Sequence, residues 1–187
     1  MFADLILEKL ILPQSITTIK MGAFQYTNLS NITIPSSVTT IEPLAFFTSR
    51  ALESFLVEEG NNSFISENGV LFNKDKTTLI CYPAYKEGTE YSIPEDVNTI
   101  YGGAFAPCKL ETIIIPSSIK EIGSLSFLMT PALKKIHCKA SNPPTATGAF
   151  MPGELNLSDV TLYVPNGTKD TYAVTEGWKI FTNIVEE

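Results

Sequence analysis

Four ten-residue segments of this chain align without a gap, and their spacing restricts the fold to a stack. They are LILPQSITTI ending at Ile19, ITIPSSVTTI ending at Ile41, YSIPEDVNTI ending at Ile100 and IIIPSSIKEI ending at Ile122. Pro13 to Pro35 (35 − 13) and Pro94 to Pro116 (116 − 94) are each 22 residues apart. Phenylalanine keeps the step, since Phe24 to Phe46 and Phe105 to Phe127 are 22 and Phe127 to Phe150 is 23. Each ring follows a small residue: Ala23, Ala45, Ala104, Ser126 or Ala149. The unit reads L-x-x-I-x-I-P-x-S-V-x-x-I-x-x-x-A-F, and weaker copies begin at Leu52, Leu133 and near Leu162. A unit this short cannot bury its apolar face alone, whereas roughly seven stacked coils bury one continuous core.

The residue types say how each coil runs. Alternate apolar positions in L-x-x-I-x-I fit a short strand with one face inward, and β-branched Ile, Val and Thr favour the pleat. Proline has no N–H to pair, so the coil bends there, and the Ser-Ser or Glu-Asp after it suits a turn. The next S-V-x-x-I turns two more apolar side chains inward, and Ala-Phe supplies a close approach and a ring between coils. A parallel sheet and an aromatic ladder are expected. The gap from Pro35 to Pro94 is 94 − 35 = 59, which exceeds two coils by 15. Asn68-Gly69 is a strong turn signal within it, and GVLFN, KDKT and TLICYP read as two strands about a tight loop. A β-hairpin from Val70 to Tyr82 is expected in an insert over about 61–83. After Pro165, Thr168 is expected to cap a short helix that carries Tyr172 inward, with Trp178, Ile180, Phe181 and Ile184 covering the last coil. This C-terminal cap spans about 165–187 of a single repeat domain, 1–187. Leu5, Leu7 and Leu10 enter mid-repeat, so the chain reads as the C-terminal portion of a longer solenoid.

In this register the unit resembles the BspA-like class of bacterial leucine-rich repeats over nearly the whole chain. ENGVLFNKDKTTLICYP resembles a hairpin common in that family, and YVPNGTKDTYAVTEGWKIFTNIVE resembles its C-terminal end. The resemblance implies a right-handed, curved leucine-rich repeat solenoid, strand-rich with short helices or 3-10 turns and a parallel sheet on one face. It also implies a cell-surface or secreted location and adhesion to host proteins or other cells, with no common ligand. One departure concerns the turns: Lys20, Glu42 and Tyr101 stand where the family usually has the glycine that Gly123 retains.

Composition then removes function classes. Thirteen basic and twenty acidic residues leave 13 − 20 = −7, which does not favour a nucleic-acid partner. No apolar run approaches the roughly 18–20 residues that span a bilayer, so no membrane insertion is expected. Met1-Phe2-Ala3-Asp4 lacks the basic start of a secretory signal. Cys81, Cys108 and Cys138 show no CxxC spacing and read as reduced thiols rather than a disulfide framework or a zinc site. There is no G-x-S-x-G, phosphate-binding glycine loop or H-E-x-x-H, so neither an enzyme nor a cofactor is expected. His137 and Cys138 adjoin on one strand and so point to opposite faces. Glu58-Glu59 and Glu186-Glu187 read as solvated acids.

Two readings remain: a module that binds a protein or glycan ligand, or a structural spacer. The usual ligand surface of a curved repeat protein is its open strand face. Alternation places Lys9, Ile11, Asn31, Thr33, Ser54, Leu56, Thr112, Ile114, Lys135, His137, Thr161 and Tyr163 outward there. The apolar ones, Ile11, Leu56, Ile114 and Tyr163, read either as an exposed interaction patch or as neighbours that stabilise the sheet.

Overall fold

Residues 10–49, 51–151 and 157–187 are described by the computed structural model of the chain. In each coil, successive side chains of the strand motif turn to opposite faces, and a parallel strand forms where the inward ones are β-branched or aromatic. In chain order the elements are β1 (Thr18–Ile19), β2 (Asn31–Ile34), β3 (Thr40–Ile41), β4 (Ser54–Val57), β5 (Phe64–Glu67), β6 (Val70–Asn73) and β7 (Thr78–Cys81). They continue with β8 (Glu90–Ser92), β9 (Thr99–Ile100), β10 (Thr112–Ile115), β11 (Glu121–Ile122), β12 (Lys135–Cys138), β13 (Thr161–Val164), the helix α1 (Lys169–Val174) and β14 (Asn183–Glu186).

The longer strands line one face. β2 pairs with β4, and β8, β10, β12, β13 and β14 form a five-stranded sheet in coil order, every pair parallel. The two-residue strands follow the proline turn and line a second face, β1 beside β3 and β9 beside β11, with the longer β7 of the insert pairing with β9. Thr112 faces Lys135, which faces Thr161, so the register preserves the repeat. The chain is the strand-rich repeat solenoid that the 22-residue step implies.

The insert is larger than the expected hairpin. β6 and β7 form that hairpin within Val70–Tyr82, but β5 also pairs antiparallel with β6. Asn68 and Gly69 close this extra pair with φ of 49° and 80°, the positive values that a type I′ turn requires. The result is a three-stranded meander, and β7 then pairs in parallel with β9. Phe64-Ile65-Ser66-Glu67 alternates too weakly to announce a strand, and it becomes one because β6 completes it. The meander also closes the free edge of β4: Phe55 N–H donates to the Gly69 carbonyl at 2.9 Å and Ser66 Oγ to the Phe55 carbonyl at 2.7 Å. β6 is buried on both sides. Val70 and Phe72 pack in the apolar cluster of the C-terminal coils, while Leu71 packs in that of the N-terminal coils.

The aromatic ladder forms in two runs on either side of this partition. Phe24 and Phe46 stack with centroids 5.3 Å apart, and the Phe55 ring meets Phe46 edge-on at 4.8 Å. In the second run Tyr82, Phe105, Phe127 and Phe150 follow one another at 5.7, 5.4 and 4.7 Å. Trp178 and Phe181 close it against Phe150. Tyr82 holds the insert's rung: its N–H donates to the Ala104 carbonyl, as that of Phe24 does to Ala45 and that of Phe105 to Ser126.

The departures from glycine are absorbed by the turns. The positive φ of the turn falls two residues later, at Gly22, Leu44, Gly103, Leu125 and Gly148. Glu42 instead accepts the Met21 N–H at 2.8 Å, and Tyr101 Oη donates across the insert to the Ile41 carbonyl at 3.3 Å. Gly123 is required for space, because a Cβ there would lie 2.5 Å from the Gly102 nitrogen.

Over the last coil Tyr172, Trp178, Phe181 and Ile184 are buried and Ile180 is half-buried. Tyr172 Oη donates to the Ala140 carbonyl and Trp178 Nε1 to the Pro144 carbonyl, both at 2.7 Å. Thr168 sits at the N-cap of α1 but does not cap it. Its backbone is already helix-like (φ −112°, ψ −8°), where a capping side chain needs extended backbone. Its hydroxyl donates to the Pro165 carbonyl at 2.6 Å, and Glu186 Oε1 accepts the Lys169 N–H at 3.0 Å instead.

Candidate binding face

Strand alternation builds two outward rows on the five-stranded sheet. One row is Glu90, Thr112, Lys135, Thr161 and Asn183, and the other is Ser92, Ile114, His137, Tyr163 and Val185. Between them Ile113, Ile136 and Leu162 point inward and are fully buried. Neighbours within a row are about 4.8 Å apart and the rows about 7 Å apart, as strand geometry dictates.

The centre of the second row is an aromatic pair. His137 and Tyr163 stack with centroids 4.4 Å apart and planes 5° from parallel. Glu187 fixes the imidazole, with carboxylate oxygens 2.8 and 3.0 Å from His137 Nδ1. Side chains stand roughly perpendicular to a sheet, so rings stacked across adjacent strands present their edges outward. Ile114 flanks the pair beside His137 and Val185 beside Tyr163. In the first row Asn183 Nδ2 donates to Thr161 Oγ1 at 2.6 Å.

The expected face is not continuous. Asn31, Thr33, Ser54 and Leu56 lie on β2 and β4, with Asn31 opposite Ser54 and Thr33 opposite Leu56. Thr112, Ile114, Lys135, His137, Thr161 and Tyr163 lie on the five-stranded sheet, and the meander separates the two groups. Ile11, 77% exposed, precedes the first strand, and Leu56 stays 54% exposed beside the insert. Lys9 lies outside the described residues. Ser92, Val185 and Glu187 were not among the expected face residues. The step of 22 contains the signal for the first two, since 114 − 92 and 185 − 163 are both 22.

The acidic pairs are more than solvated. Glu58 Oε2 accepts Gln14 Nε2 at 2.6 Å and the Ser36 N–H at 2.9 Å, and these bonds hold its carboxyl below the usual carboxylate range. Gln14, Ser36 and Glu58 are successive in the 22-residue step, so this is a polar ladder. Glu186 and Glu187 bond Lys169 and His137 as described above. Cys81, Cys108 and Cys138 are free and buried. Burial pushes the Cys108 thiol up to about 12 and raises the other two, so all three stay protonated and unreactive. Cys138 points inward, its Sγ 3.1 Å from Tyr172 Oη, opposite the outward His137. Among the described residues no helix is long and apolar enough to cross a membrane.

Residues 1–77 and 81–172 match the model of the BspA type leucine rich repeat region, as six copies. A leucine-rich repeat protein from Eubacterium ventriosum ATCC 27560 is similar at 30% identity over 86% of this chain and 48% of its own, with a TM-score of 0.64. A leucine rich cell surface protein from Faecalibacterium prausnitzii A2-165 is similar at 27% identity over 97% of this chain and 54% of its own, with a TM-score of 0.66. The matched part is thus about half the length of either structure. No curated protein matches the chain. The repeat unit, the stack it builds and the family match agree: the chain belongs to the BspA-type leucine-rich repeat family.

Proposed function

We propose that residues 1–187 form one non-catalytic binding domain of a cell-surface or secreted protein, which engages a protein ligand on the outward face of the five-stranded sheet. The location is supported by the similarity to a cell-surface protein of Faecalibacterium prausnitzii. The observation that carries the reading is the His137–Tyr163 stack, positioned by Glu187 and continued on both sides by Ile114 and Val185. A row of this kind offers apolar contact with polar ring edges and loses little side-chain entropy on binding, because the rings are already held. A protein ligand fits better than a glycan, which stacks on exposed aromatic faces, whereas these rings turn their edges outward.

A spacer with no ligand of its own is the second reading, and it too has support. Several exposed side chains satisfy one another between coils, as Asn183 does with Thr161 and Lys134 with Glu111. The test is to probe the immobilised chain with extracellular-matrix proteins and a glycan array, alongside Ile114→Glu and Tyr163→Ala. The binding reading expects a protein ligand whose affinity falls roughly tenfold or more in each variant. Silence across both sets supports the spacer, and a ligand indifferent to both substitutions removes the sheet as the site.

A further inference from the structure

A second concavity lies away from the sheet, on the flank where each coil climbs from its ladder ring to the next strand. Tyr85, Pro107, Lys109, Met129 and Pro131, with Cys108 at the floor, enclose an open groove of about 440 Å³. Three consecutive coils build it. Tyr85 follows the rung Tyr82, Lys109 follows Phe105, and Met129 and Pro131 follow Phe127. The Tyr85 N–H donates to the Leu52 carbonyl at 2.7 Å, which anchors its backbone to the preceding coil and leaves the side chain 56% exposed.

The lining is chemically uneven. Pro107 and Pro131 form walls with no N–H to offer, and Met129 adds an adaptable apolar surface. The one charged lining residue is Lys109, whose ammonium sits 4.5 Å from the centroid of the Tyr85 ring. That cation–π contact holds both side chains in place. Among the described residues Lys109 makes no salt bridge, although the chain carries a net charge of −7. A positioned, unneutralised cation over an apolar trough is complementary to an apolar group that carries an anion. We infer that this groove binds a peptide segment with an apolar side chain next to a carboxylate. The side chain lies against Met129 and the prolines, and the carboxylate meets Lys109. This site is independent of the sheet face.

The test titrates the full chain by NMR with N-acetyl-leucine and with N-acetyl-leucine amide, which share an apolar body and differ in the carboxylate. The Met129 methyl resonance should shift saturably, with the acid binding about two- to fivefold more tightly than the amide. Lys109→Met should erase that difference, and Tyr85→Ser should weaken both probes. Lys135→Met, on the sheet, should leave both titrations unchanged. No saturable shift with either probe, equal binding of the two, a preference that survives Lys109→Met, or a loss caused by Lys135→Met would each overturn the assignment.

Discussion

At the scale of single residues, each repeated position has one physical task. Phe105 is fully buried, stacked between Tyr82 and Phe127. Three residues after Phe24, Phe46, Phe105 and Phe127 comes a second periodic position, held by Thr27, Ser49, Cys108 and Thr130. Thr27 Oγ1 and Thr130 Oγ1 each donate to the carbonyl of their own ladder phenylalanine at 2.9 Å, and Ser49 Oγ donates to that of Phe24 at 2.7 Å. Cys108 therefore stands where its neighbours keep a hydroxyl. Two substitutions three residues apart in one coil should differ sharply. Phe105→Ala opens a hole between two rings and should cost roughly 3–5 kcal/mol. Cys108→Ser restores the hydroxyl of the other coils and should stay within about 1 kcal/mol of the unsubstituted chain. Urea unfolding of the two variants measures both, and a neutral Phe105→Ala would refute the ladder as a stabilising element.

At the scale of elements, the insert shows where sequence reading stops. Its position was legible, because the 59-residue gap between Pro35 and Pro94 breaks the step and Asn68-Gly69 marks a tight turn. The coil strands were legible for the same reason: repetition averages out local ambiguity. β5 was not, since its pairing with β6 is a tertiary event. Nor was the role of Asn61, which looks like any polar loop residue yet is buried and fully bonded. Its Nδ2 donates to the Pro35 and Val38 carbonyls at 2.7 and 3.1 Å, and its Oδ1 accepts the Ser63 and Phe64 N–H groups at 2.8 Å. One amide thus ties the proline turn of the preceding coil to the start of the meander. Asn61→Ala leaves these backbone groups without their partner and should cost about 2–4 kcal/mol. Hydrogen exchange should show the loss first in residues 63–81, and uniform loss along the stack would show that the meander is not a separate cooperative unit.

At the scale of the whole molecule, the outward rows of the candidate face could be read from the step of 22, but their interruption could not. A stack in which every coil contributed one strand would present an unbroken sheet. Here β6 stands between two apolar clusters, so the N-terminal group around Leu56 and the C-terminal group around His137 are separate surfaces. The two clusters share a chemical liability. Cys81 lies in the N-terminal one and Cys108 and Cys138 in the C-terminal one, and burial raises all three thiols above the ordinary value of 9.0. Well below pH 9 these thiols are protonated both folded and unfolded, and they add no pH dependence. Above it the unfolded chain releases their protons while the folded chain keeps them. The folded state then binds more protons, and stability must fall as pH rises. Each thiol adds a slope that approaches about 1.4 kcal/mol per pH unit until its folded value is reached. Denaturant midpoints from pH 8 to pH 10 should therefore decline, and replacing the three cysteines with alanine should flatten that decline. An equally steep fall in the cysteine-free chain would assign the alkaline instability to other groups, with the phenols of Tyr82, Tyr91 and Tyr172, all raised by desolvation, as the next to remove.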